Sequence, residues 1–140
     1  MSNFELAKYY DKNKLFGGVY ARDEVKNIDN KFYFINLDDS TGAGTHWVCV
    51  YNCGTECIYF DPFGIDPSTE ILKFMRASKK KMLMSTYQIQ NVESIMCGYF
   101  CIYIVNSLLN RSAFHDILLE FDPNDYEFND SLVKQKLNLM

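Results

Sequence analysis

QIQNVESIMCGYFCIYIVNSLL, residues 88–109, decides the reading of this chain. It opens polar and turns, at Cys97, into a long apolar run. That junction reads as the first turn of a buried helix over 97–110. A thiol placed there meets the positive end of the helix dipole, which favours thiolate. The plain alternative is a structural cysteine in a core helix, because free cysteines are among the most buried residues. Cys101, one turn on, fits that plainer role. Upstream of Cys97 lie Gln90, Asp61 and His46, one of two histidines. That order of residue types makes nucleophilic cysteine chemistry the first reading to test.

The bulk numbers suit it. A chain of 140 residues, 48% hydrophobic and 23% charged, is expected to form one globular domain over 1–140 with a single core. Aromatics reach 16%, enough to fill a core and leave some rings for a substrate groove. A net charge of -4 argues against nucleic acid as the main substrate. Five cysteines without a secretory leader suggest reduced thiols inside a cell. The longest apolar run, around residues 99–105, is far short of a membrane span.

Residues 4–13 read as a short helix anchored by Phe4, Leu6, Tyr9 and Tyr10. Gly17 and Gly18, the one Gly-Gly pair, read as a break. KFYFINL (31–37) reads as a strand and DDSTGAGT (38–45) as a flexible loop. HWVCVYN and ECIYFD form two strands around NCGT. Asp66 caps a helix reaching about Ser78, with Pro67 in its first turn. Lys79–Lys81 reads as a solvated turn and 82–90 as a strand. Ser112 caps a helix through Phe121. FDPND turns the chain, and 130–138 is a last amphipathic helix. The class is α+β.

The segment 46–61 carries a geometric expectation. A two-residue turn at Cys53-Gly54 pairs Asn52 with Thr55 and, by extension, His46 with Asp61. Directly opposed residues share a face, with Cβ atoms about 5 Å apart, so the carboxylate could orient the imidazole. A surface His-Asp pair is the plain alternative. In this register Trp47 faces away from His46 and opposes Phe60. Both faces are apolar, so the sheet is expected to be covered on both sides. Cys49 and Cys57 point to opposite faces and no C-x-x-C pair exists, so no metal site is expected.

A cysteine nucleophile also needs donors for the developing oxyanion. The backbone N–H of Cys97 is one. Gln90, seven residues upstream near the end of a strand, can supply another, with Gln88 and Asn91 as rivals. Gly98 leaves the backbone beside the thiol open to substrate. His115 reads as a surface or packing residue. Asp38 and Asp39 are alternative carboxylates, and Glu93 would raise the thiol pKa if placed beside it.

On the segments GTHWVCVYN, IYFDPFG and QNVESIMCGYFCIYIVN, the chain resembles the adenovirus-type and SUMO-protease-type cysteine peptidases. The likeness covers roughly residues 33–105, about half of the chain. It implies a papain-like, adenain-like fold with the nucleophile at the N-terminus of a buried helix. It implies His46 as general base, Asp61 orienting it, Gln90 in the oxyanion hole and Cys97 as nucleophile. Trp47 and Gly98 would line the substrate groove, a narrow slot that admits glycine. Short members of this superfamily resemble maturation proteases of DNA viruses and virophages, which cut capsid or core precursors after Gly-containing sites. The expected partner is therefore a protein precursor, met in the virion or the infected cell's cytoplasm or virus factory. A monomer, no cofactor and no membrane contact are expected. The peptide and DNA activators of the adenovirus enzyme are not carried over, since no counterpart of its peptide-linking cysteine is found. A deconjugating protease for a ubiquitin-like modifier shares the chemistry, and a catalytically dead peptide-binding relative is the non-enzymatic alternative.

Overall fold

The computed structural model describes residues 3–38, 46–91 and 93–139, without the side chains of Asn3 and Phe4. Phe4 as an anchor, Asp39 as a carboxylate and most of the 38–45 loop therefore lie outside the described residues. Helix α1 (Asn3–Tyr10) leads into strand β1 (Phe16–Ala21), a 3-10 turn (Arg22–Glu24) and strand β2 (Phe32–Asn36). Strands β3 (Trp47–Tyr51) and β4 (Glu56–Phe60) follow, then α2 (Thr69–Arg76) and β5 (Lys81–Met84). Helices α3 (Cys97–Leu109), α4 (Phe114–Leu118) and α5 (Tyr126–Lys136) complete the order.

The sheet runs β1-β2-β3-β4-β5. Its inner pairs β2/β3 and β3/β4 are antiparallel, and its outer pairs β1/β2 and β4/β5 are parallel. The class is the expected α+β. Every residue of β2 is buried, as a strand covered on both faces requires. One face packs Phe32, Phe34, Trp47, Cys49 and Phe60 against Phe100, Cys101 and Ile104 of α3. The other packs Tyr33, Ile35, Val48, Val50, Cys57 and Tyr59 against Ile71, Phe74 and Met75 of α2. Cys49 and Cys57 thus point to opposite faces, as their spacing required.

Helix α3 buries nine of its residues, so it is apolar on almost every side and forms the centre of the molecule. Tyr10 ties α1 to it, donating to Asn106 Oδ1 at 2.6 Å and to the Ile102 carbonyl at 3.2 Å. Leu6 and Tyr10 are buried anchors, whereas Tyr9 is exposed.

Several boundaries differ from the sequence reading. Gly17 and Gly18 sit inside β1, where the pairing with β2 slips by one residue and Gly18 takes φ +127°. Helix α2 is capped by Ser68, whose Oγ accepts from Ile71 N at 3.3 Å; Asp66 lies two residues too early to reach that N–H. The helix stops at Arg76. Lys81 already belongs to β5, and Lys80 Nζ donates to Asn30 Oδ1 and the Asn52 carbonyl, both at 2.8 Å. Strand β5 ends at Met84 instead of reaching 90. Helix α4 follows Ala113, with no side-chain cap from Ser112, and ends at Leu118. Helix α5 starts early because Asp125 of the FDPND turn caps it, accepting from Phe128 N at 3.0 Å.

Candidate active site

The β3–β4 hairpin sets the site, in a register two residues away from the expected one. Cys49 pairs with Phe60 and Tyr51 with Ile58. A two-residue slip keeps every side chain on its face, because the strand period is two. It does change who faces whom. His46 lies just before β3 and Asp61 just after β4, so the slipped register does not pair them directly, yet both flank the same end of the hairpin. His46 Nε2 lies 2.8 Å from Asp61 Oδ1, and Asp61 is fully buried.

Asp61 is held through one carboxylate oxygen and through its backbone. Phe63 N donates to the same Oδ1 at 2.8 Å. Ser85 Oγ accepts from Asp61 N at 3.1 Å and donates to the Asp61 carbonyl at 3.2 Å. The Phe63 ring stacks on the imidazole, with centroids 4.1 Å apart and planes 5° from parallel. Asp61, not Asp38, is the carboxylate at His46.

Cys97 enters from the other side of the ring. It is the first residue of α3, and Met96 before it supplies no side-chain cap. The first N–H groups of this helix are therefore left without a side-chain cap beside the thiol. Trp47 N donates to Cys97 Sγ at 3.4 Å. Burial pushes the thiol pKa up, yet the hydrogen bonds and charge of His46 and the N–H groups of Trp47 and Gly98 outweigh it and lower the pKa. Burial pulls His46 down in turn, but Asp61 and Cys97 raise it to about 9. Nε2 is taken by Asp61, and Nδ1 makes no hydrogen bond of normal geometry, which leaves that nitrogen for proton exchange with the thiol. Each group therefore favours the charged form of the other, thiolate beside imidazolium.

Gln90 lies in the irregular segment between β5 and α3, not on a strand. The N–H groups of Ile89 and Gln90 both donate to the Pro62 carbonyl, at 3.0 and 3.2 Å. Gln90 is fully buried, and its Nε2 donates to the Ser94 carbonyl at 3.0 Å. An amide nitrogen carries two hydrogens, so one remains for a ligand. Of the rivals, Gln88 is half-buried with its Nε2 donating to the Gln90 carbonyl at 2.8 Å, and Asn91 is exposed. Gly98 is buried at the head of α3. Trp47 is only 1% exposed, so its ring packs in the core instead of walling a groove; its link to the site is its backbone N–H. His115 and Glu93 are exposed.

No family model matches the chain. Cysteine protease S273R of African swine fever virus (isolate Tick/Malawi/Lil 20-1/1983) is 23% identical over 158 residues, spanning 96% of this chain and 58% of that protein. SUMO-1 cysteine protease S273R of the isolate Warthog/Namibia/Wart80/1980 is also 23% identical over the same spans. A crystal structure of the African swine fever virus pS273R protease superposes with a TM-score of 0.61 at 16% identity, covering 81% of this chain and 59% of that one. The chain is similar to these viral cysteine proteases. Its fold is their papain-like, adenain-like α+β fold, with Cys97 opening the buried helix. It spans a little over half the length of the curated relatives it matches.

Three features of this peptidase-like site escaped the sequence reading. Phe63 lies in the DPFG segment, where an aromatic ring beside a proline marks no role by itself. Ser85 lay inside a predicted strand. The Trp47 N–H is a backbone group, and no side-chain pattern marks it.

Proposed function

We propose that this chain is the catalytic domain of a cysteine endopeptidase that cuts a virion precursor protein after glycine. The observation that carries the reading is the imidazole of His46, bonded to Asp61 at 2.8 Å and holding the Cys97 thiol pKa down at the head of α3. In this mechanism the Cys97 thiolate attacks the scissile carbonyl. The Cys97 N–H and the second hydrogen of the Gln90 amide stabilise the oxyanion. The His46 imidazolium gives its proton to the leaving amine as the C–N bond breaks. Neutral His46 then takes a proton from water, whose oxygen displaces the thiolate from the acyl-enzyme.

Preference for glycine is supported by access. Cys97 is 4% exposed, and a chain without a side chain can approach so recessed a sulfur most closely. Setting is supported by kinship: the relatives are viral, so the place of action is the infected cell. No helix among the described residues is long and apolar enough to cross a membrane.

The test is mass spectrometry of a virion precursor carrying Gly-Gly-X sites after incubation with the protein. New termini after glycine are expected, and Cys97→Ala should produce none while melting at the wild-type temperature. Equal cleavage by that variant would sink the assignment. A second reading, removal of a ubiquitin-like modifier, is favoured by the name of one relative, a SUMO-1 cysteine protease. Covalent capture of Cys97 by a modifier with an electrophilic C-terminus, without cleavage of the precursor, would select it.

A further inference from the structure

The turn Asp61-Pro62-Phe63-Gly64 is locked more tightly than a loop bearing one carboxylate requires. Gly64 N closes it onto the Asp61 carbonyl at 2.8 Å. The Pro62 carbonyl takes the N–H groups of Ile89 and Gln90. Gly64 has φ +69°, and a Cβ there would stand 2.4 Å from the Tyr87 carbonyl carbon, so the turn lies directly on the 87–88 backbone. Phe63 is the residue that this locking fixes in space. It is half-buried, and its ring lies flat on the His46 ring at 4.1 Å.

From this geometry we infer that Phe63 is a positioning residue for His46: it pins the imidazole plane between Asp61 and Cys97, and its π face stabilises the imidazolium. An aromatic face within about 6 Å attracts a cation, more strongly where water is excluded. A flat stack also blocks rotation of the ring out of the line joining carboxylate and thiol. Among the described residues the titratable groups acting on His46 are Asp61 and Cys97, and Phe63 adds a neutral partner to those two charges. The same turn carries the Gln90 backbone, so base and oxyanion amide share one rigid support. The consequence for rate rests on the peptidase reading; the consequence for titration does not.

The test begins with proton NMR of the imidazole resonances, which are few because the chain has two histidines. In Phe63→Leu the His46 pKa should fall by roughly half a unit to one unit, while Phe63→Tyr keeps it and exposed His115 is unmoved. In the cleavage assay the alkaline limb should move down by the same amount. The kcat should fall about tenfold or more with KM little changed, and Phe63→Tyr should restore both. If Phe63→Leu does not fold, Phe63→Met makes the same comparison with an unbranched side chain. A folded Leu or Met variant with an unshifted His46 titration overturns the proposal. A wild-type protein that cuts nothing, yet shows the expected titration shifts, would refute the peptidase reading and leave the role of Phe63 standing.

Discussion

At Cys97, burial and hydrogen bonding pull the thiol in opposite directions, and the hydrogen bonds win. Cys101, one turn later on the same helix, shows burial unopposed by a cation: its pKa is pushed well up, with Cys49 beside it adding to the rise. Cys53 is the most accessible of the five thiols, but burial still raises its pKa despite nearby Lys80. Exposure alone would therefore send an alkylating agent to Cys53 first, whereas thiolate character sends it to Cys97. At pH 7, iodoacetamide labelling followed by peptide mass mapping should modify Cys97 fastest. The ion pair has a defined window. Below the lowered pKa of Cys97 the thiol is protonated and unreactive. Above about 9, His46 has lost the proton that the proposed reaction delivers to the leaving amine. Labelling should persist on the alkaline side, while peptide cleavage should fall there. These residue types, and their order, were legible from the start. Their spacing was not, because an imidazole can reach a carboxylate that does not stand directly opposite it.

Among elements, α3 and the β3–β4 hairpin were the most legible, because an unbroken apolar run and two short β-branched, aromatic runs leave few alternatives. The segment after β5 was the least legible. Its composition continues a strand, yet the chain leaves the sheet at Ser85. There the Ser85 hydroxyl bonds the Asp61 backbone, and Ile89 and Gln90 give their N–H groups to Pro62. Ser85 N still reaches the Tyr59 carbonyl at 3.2 Å, but the donors at 89 and 90 go to the 61–64 turn instead of a ladder. Gly64 tests that account. Gly64→Ala places a side chain in the left-handed region and against the Tyr87 backbone. The strain alone should cost roughly 1–3 kcal/mol. A lower urea midpoint with unchanged slope is the expected result, and an unchanged midpoint would mean that the turn is not held against 87–88.

Across the whole molecule, stability rests on two apolar layers that sandwich one sheet. Phe100 is fully buried where α3 meets the sheet, and its ring lies 5.7 Å from that of Phe121. Phe100→Ala should lose about 3–5 kcal/mol in equilibrium unfolding and weaken the α3 layer on which Cys97 rides. A loss below about 1 kcal/mol would place the main support of α3 elsewhere. Local patterning settles the inventory and the faces. Periodicity put apolar side chains on both sides of the sheet, made α3 central and set a thiol at its head, because side-chain direction follows local backbone geometry. Tertiary packing alone selected the pairing: the two-residue slip of the hairpin, Phe63 stacked on His46, and Gln90 carried on the Pro62 carbonyl. A slip by one strand period leaves every face unchanged, so local patterning cannot detect it. Only the packing of distant segments selects one register from the set.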